Sequence, residues 1–101
     1  MKSELQQNLV KINAIISYSP NLVGEYKALL VNSIALLKET DHDAQSPIYS
    51  AWAPMALEEL EGNAIKFDDS FLQLPLERQK TEFFNSKSAV TLSLQNIVMN
   101  L

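Results

Sequence analysis

The segment from Ala28 to Leu37 carries apolar side chains on nearly every side of a predicted helix. Two neighbouring stripes follow the three- and four-residue spacing of helix faces. They comprise Leu22, Tyr26, Leu29, Ser33 and Leu37 in the first, and Val23, Leu30, Ile34 and Ala35 in the second. Val31 and Leu36 lie further round. Because a surface helix needs only one stripe, this pattern predicts a helix at the centre of a bundle or one covered by a partner chain.

The first half of the chain predicts two helices. The first extends from Ser3 to about Ser17, since Leu5, Leu9, Ile12 and Ile16 recur at helical spacing. The second extends from about Pro20 to Glu39, because serine followed by proline is a typical helix start. The same serine-proline start recurs at Ser46-Pro47, after a polar connection.

The middle of the chain is open to alternatives. Either a short turn over Pro47–Ala53 precedes a helix from Pro54 to Glu61, or one helix contains Pro54 and kinks there. Gly62-Asn63 is a typical helix stop. From Ala64 to Leu74 the pattern fits a short strand or a loop with a helix cap.

Pro75 is expected to open a long last helix that reaches the end of the chain. Its core face would contain Leu76, Phe83, Val90, Leu94, Ile97 and Leu101, and Asn85-Ser86 is a candidate break. The run Val90–Gln95 also alternates as a strand does. We therefore predict an all-α fold, a compact bundle of about four helices forming a single domain over residues 1–101. The alternative is an α+β fold with a short C-terminal strand pair.

Composition and charge limit the kinds of partner and the cellular compartment that we expect for this protein. The formal net charge is −4, and the eight basic residues are scattered, with a single arginine among them. Nucleic-acid binding is therefore not expected, since it needs concentrated positive charge. No apolar run is long enough for a membrane span, and the first residues do not resemble a signal peptide. We expect a cytoplasmic protein that does not bind membranes. The absence of cysteine excludes disulfides and thiolate chemistry.

Catalytic and metal-binding patterns are weak. The single histidine, His42, lies in an acidic stretch, but the spacing fails for a calcium loop and no further ligands are apparent. Two carboxylate pairs, Glu58 with Glu61 and Asp68 with Asp69, are possible acid/base groups. A solvated charged face is the favoured explanation of both pairs. Two glycines leave no phosphate-binding loop. We predict no enzyme activity, no cofactor and no metal.

Aromatic and sulfur-containing residues are the best candidates for binding a partner. Tyr49, Trp52 and Met55 are close in sequence and belong to residue types that are enriched at binding hot spots. The alternative is that Trp52 closes one end of the core. Four further aliphatic residues, Val31, Leu36, Leu92 and Met99, lie off the main stripes of the second and last helices. They are expected to form a two-fold interface.

The function that these patterns favour is protein–protein interaction. We expect a small acidic helical module that acts on an unidentified partner protein as an inhibitor, immunity protein, phage-type regulator or secretion chaperone. A homodimer is expected. The alternatives are a homo-oligomeric structural or assembly subunit and a small enzyme that uses the paired carboxylates.

Overall fold

A computed structural model describes residues 2–39 and 47–100, and within α3 the side chains of residues 48–50 are not described. The four helices are α1 (Lys2–Asn13), α2 (Leu22–Glu39), α3 (Pro47–Lys66) and α4 (Leu76–Met99), with a short 3-10 helix at Phe71–Gln73. No strand occurs in the described ranges, so the predicted all-α bundle is confirmed. The alternative strand pair is wrong, because Val90–Gln95 lies inside α4.

The helices form a ring in which each one packs on two neighbours. The pairs are α1 with α2, α2 with α3, α3 with α4, and α4 with α1, so α2 and α4 lie diagonally opposite. Helices α3 and α4 are antiparallel. Phe67, just after α3, packs on Phe83 in the first half of α4, whereas Trp52 in the first half of α3 lies near Leu92 in the second half of α4.

The core is built from one buried stripe on each helix. On α2 the first predicted stripe is correct for Tyr26, Ser33 and Leu37, which are buried. A buried polar contact joins α1 to α2, because Asn8 Nδ2 donates to Asn32 Oδ1 at 2.8 Å and to Ser33 Oγ at 3.0 Å. Hydrogen bonding compensates the burial of these polar groups, so the docking of α1 depends on matching partners as well as on apolar packing.

Helix α3 is one helix that contains Pro54, which was one of the two alternatives for this segment. The helix includes Pro54 and continues through Gly62-Asn63 to Lys66, so the predicted stop is wrong. Ala53 and Leu60, on either side of Pro54, are buried, and so is Ala64, after Gly62-Asn63. Asn63 is buried as well, and its Nδ2 donates to the carbonyl oxygen of Glu59 at 2.7 Å. Tertiary burial of this face outweighs the local helix-breaking preferences.

Helix α4 is also continuous, since the expected break at Asn85-Ser86 does not occur. Ser86 is buried, and its hydroxyl shares a 2.8 Å hydrogen bond with the hydroxyl of Tyr26. Leu76 was expected in the core but is 60% exposed in the first turn, and Ile16 is 85% exposed because α1 ends at Asn13. Leu101 lies outside the described residues.

One end of the bundle contains a cluster of aromatic rings. Phe67 follows α3, and its ring packs against the rings of Tyr26 and Phe71 with centroids 5.2 and 4.7 Å apart. Phe67 therefore belongs to the core rather than to a strand. Asp68 then accepts hydrogen bonds from the backbone N–H groups of Ser70 and Phe71, which orders the turn into the 3-10 helix.

Gln79 joins three parts of the chain at this aromatic end. It is buried, and its Nε2 donates to the carbonyl oxygens of Leu72 and Leu74 at 3.1 and 2.8 Å. Its Oε1 accepts from the hydroxyl of Tyr18 at 2.7 Å. The side chain thereby uses both amide hydrogens and its oxygen, and it ties the segments before α2 and before α4 to α4 itself.

Replacing Gln79 by glutamate should lower the free energy of unfolding by about 1 to 3 kcal/mol at neutral pH, because a carboxylate cannot donate to the two carbonyl oxygens. Urea unfolding followed by circular dichroism measures the change. Gln73→Glu is the matched control, since Gln73 is exposed nearby and carries the same substitution. Equal effects of the two variants would show that the Gln79 bonds do not stabilise the fold.

Within the part of the chain that the structure describes, no helix is both long enough and apolar enough to cross a membrane.

Candidate functional site

Two helix halves that carry no charged residue lie side by side in the structure. Neither Pro47–Leu57 nor Ser88–Asn100 contains Asp, Glu, Lys, Arg or His. The first range is the beginning of α3 and the second is the end of α4. Because the two helices are antiparallel neighbours, these halves form one continuous surface. We call it the uncharged face.

A groove of about 180 Å³ lies between the two helices on this face. Trp52 and Met55 line it from α3, while Leu92 and Asn96 line it from α4. Ala56, Ser93 and Ile97 complete the uncharged lining. Glu59 also lines the groove, and one of its carboxylate oxygens accepts a 3.1 Å hydrogen bond from Asn63 Nδ2. The groove is therefore apolar along its walls, with short polar side chains beside them.

Four large hydrophobic side chains on this face are exposed to solvent. The exposed fractions are 41% for Trp52, 61% for Met55, 61% for Leu92 and 76% for Met99. The register of α4 explains why Leu92 and Met99 are exposed. Val90, Leu94 and Ile97 form the buried stripe, and residues two positions from a buried one point well away from the core. Leu92, Asn96 and Met99 thus share an outer side of α4.

Some of the other exposed hydrophobic residues lie in clefts that charged side chains also line. Ile16 and Leu76, for example, line a separate cleft together with Glu77 and Lys80. Single exposed apolar residues are common on protein surfaces, whereas a contiguous apolar patch is not. The uncharged face differs in that three exposed hydrophobic side chains, Trp52, Met55 and Leu92, line one groove with a single charged residue, Glu59.

The predicted binding residues do not all lie together. Trp52, Met55 and Leu92 line one groove, and Met99 is on the same side of α4 as Leu92. Val31 is 51% exposed on α2, which is diagonal to α4, and Leu36 is partly buried against the core. The two-fold interface expected from the α2 and α4 residues together is therefore not a single surface. The side chain of Tyr49 lies outside the described residues.

The carboxylate pairs have structural or solvent-exposed environments. Glu61 forms an ion pair with Lys38 at 2.9 Å, and Glu58 is exposed. The Ser70 hydroxyl that donates to Asp68 is the main reason why the pKa of this carboxyl lies below its usual value. Asp69 is exposed. The Asp68 contacts order a turn and the Glu61 ion pair joins α3 to α2, and of these four carboxylates only Asp68 lines the larger cleft described below.

Metal ligation has no support in the described ranges, where no group of three or more histidine, cysteine or acidic residues is placed to hold an ion. The acidic stretch around His42 lies outside the described residues. A larger cleft of about 420 Å³ is present beside the 3-10 helix. Its rim carries charges of both signs, from Lys66, Arg78, Asp68 and Glu82.

Sequence reasoning did not identify Ser93 and Asn96 as part of the groove. The available signal was the absence of charge over Pro47–Leu57 and Ser88–Asn100, which is visible in the printed sequence. The cleft beside the 3-10 helix had no comparable signal, because it depends on how the turn after α3 returns to α4.

Comparison of the chain with protein-family models, with curated proteins and with solved structures finds no match.

Proposed function

We propose that this protein is a small, non-enzymatic protein–protein interaction module that binds its partner through the uncharged face. The observation that carries the proposal is the groove between α3 and α4, which the exposed side chains of Trp52, Met55 and Leu92 line, with Met99 exposed on the same side of α4 as Leu92. A module of this kind acts by surface complementarity alone, as an inhibitor, immunity protein, phage-type regulator or secretion chaperone does.

The energetics of the exposed side chains support this role. Apolar surface in contact with water costs about 25 cal/mol for each Å² left exposed. Trp52, Met55, Leu92 and Met99 contribute such surface on two adjacent helix halves. Covering it with a partner recovers that free energy, and contiguous exposed apolar patches usually mark interaction sites.

The residue types on the face also favour a binding surface. Interface cores are depleted in charged residues and enriched in aromatic residues and methionine. The uncharged face combines one tryptophan and two methionines with no charge on either helix half. Ser93 and Asn96 supply short polar groups in the groove that can fix the orientation of a bound segment.

The surroundings of the titratable groups argue against the enzyme alternative. Asp68 is engaged in turn hydrogen bonds and Glu61 in an ion pair. Tyr26 is buried in the core, and its hydroxyl contacts Ser86. An active site normally gathers perturbed titratable groups in one cleft, which this arrangement lacks among the described residues.

Site-specific photo-cross-linking in the native host tests the proposal. A photoreactive phenylalanine analogue at Met55, which is 61% exposed on the face, should give one discrete adduct. The matched control is the same analogue at Gln6, an exposed position on α1, the helix diagonal to α3. Adding Leu92→Glu should remove the Met55 adduct by placing an unpaired charge in the interface.

Adducts of equal yield from positions 55 and 6, or no adduct from position 55, would contradict the proposed binding face. An adduct from position 55 that survives Leu92→Glu would contradict the role of the groove.

A further inference from the structure

We infer that the occupant of the uncharged face is a second copy of this chain, joined by a two-fold axis. The inference rests on the proposed function, because it specifies the partner for the same surface. Three features of the face support a second copy as its occupant. They are its charge, the arrangement of its projecting and recessed parts, and its size.

The charge distribution favours an identical partner. Each chain carries a net charge of −4, so two copies repel each other over most of their surfaces. On the uncharged face each copy brings one charged residue to the groove, Glu59, whose carboxylate accepts a hydrogen bond from Asn63 Nδ2, so few like-charge contacts arise there. Recognition of a basic partner would instead use the acidic residues, which both helix halves lack from Pro47 to Leu57 and from Ser88 to Asn100.

The shape of the face also meets the requirement of a two-fold contact. Such a contact is self-complementary, so each copy must present both a projection and a recess. Met99 is the most exposed of the four hydrophobic side chains, at 76%, and lies about one turn beyond Asn96 on the same side of α4. The groove lined by Leu92 and Asn96 is the adjacent recess. A two-fold axis that passes between Met99 and the groove places Met99 of each copy at the groove of the other copy.

The size of the face predicts a weak dimer. The second half of α4 is about 20 Å long, and two packed helices together are about 20 Å wide. The projected area is therefore about 400 Å² for each copy, before side-chain relief is counted, which is below the size of standard stable interfaces and fits a weak, transient contact. We expect a dissociation constant in the micromolar range for an interface of this size. The area alone does not set the affinity, because the affinity also depends on how well the groove is filled.

Sedimentation of the purified chain over about 5 to 500 µM brackets a micromolar dissociation constant and should give a dimer at the upper end. Leu92→Glu should raise the dissociation constant at least about tenfold, because each dimer then contains two unpaired charges at the interface. Met99→Glu should act in the same direction. Both side chains are more than 60% exposed in one chain, so both variants should keep the helix content and melting temperature of the wild type.

Ile65→Glu is the matched control, since Ile65 is 73% exposed on α3 but lies beyond the uncharged half of that helix. It should leave the dissociation constant unchanged. The fluorescence of Trp52, the single tryptophan, gives a readout that needs no substitution. Its emission should shift to shorter wavelength as the concentration rises, because the ring passes from partial exposure into the interface.

The outcomes separate this inference from the proposed function. A monomer at all concentrations, combined with a position-specific adduct of a different protein at residue 55, would overturn the second copy and retain the binding face. A monomer without a position-specific adduct would overturn both. A dimer that Ile65→Glu weakens as much as Leu92→Glu would overturn the assignment of the interface to the uncharged face.

Discussion

Replacing Phe83 by alanine should lower the free energy of unfolding by about 3 to 5 kcal/mol, the range found when a large buried ring is removed from a packed core. The Phe83 ring is fully buried and contacts the rings of Tyr18 and Tyr26 at centroid distances of 5.0 and 4.8 Å. It also packs against Phe67 and Phe84. The substitution therefore leaves a cavity in the centre of this end of the bundle. The rings of Tyr26 on α2, Tyr18 before α2 and Phe67 after α3 all lose their contact with the Phe83 ring of α4 there.

Small domains are stable by only about 5 to 15 kcal/mol, so this change removes a large fraction of the total. Urea unfolding followed by circular dichroism measures it. The matched control is Leu76→Ala on the same helix, where the side chain is 60% exposed and the expected change is within about 0.5 kcal/mol. A loss below about 1 kcal/mol for Phe83→Ala would show that the aromatic cluster is not tightly packed.

Raising the pH should destabilise the fold through Tyr26, whose side chain is fully buried. Burial raises the pKa of this hydroxyl from 10.0 to about 12, partly opposed by the hydrogen bond with Ser86. The folded state therefore keeps the proton more strongly than the unfolded state does. The resulting stabilisation is complete below pH 10 and is lost as the pH rises through 12. Two pKa units correspond to about 3 kcal/mol.

Urea unfolding at a series of pH values should show this loss in the wild type and a smaller one in Tyr26→Phe, which has no proton to lose. The difference between the two chains isolates the contribution of Tyr26 from every other effect of pH on the fold. The same pH dependence in both chains would contradict the assignment. The variant also removes the hydrogen bond to Ser86, so its stability at neutral pH should already be lower by about 1 kcal/mol.

Much of the fold could be predicted from the chain because helix-forming patterns are local. The spacing of Leu5 and Ile12 on α1, and of Val90, Leu94 and Ile97 on α4, matches the buried stripes. Proline at the start of α3 and just before α4 indicated two helix starts. The errors occurred where tertiary burial outweighed local preference, as at Asn63 and Ser86, whose polar groups find partners inside the bundle.

The candidate site could be predicted only in part. Trp52, Met55, Leu92 and Met99 were identified as residues suited to binding, and all four are exposed on the uncharged face. Val31 and Leu36 were grouped with the α4 residues because both helices are rich in apolar residues on several sides. The ring order separates α2 from α4, and no periodicity within one helix encodes which helix will be its neighbour.

The sequence by itself determined the helical class, the approximate positions of the four helices and the two charge-free runs, because each depends on residues close together in the chain. The tertiary structure decided that these two runs are adjacent and form a groove. It also decided that Gln79 and Phe83 join segments distant in sequence. These features depend on which helices pack together, and packing is fixed by the simultaneous burial of all four core stripes rather than by any one of them.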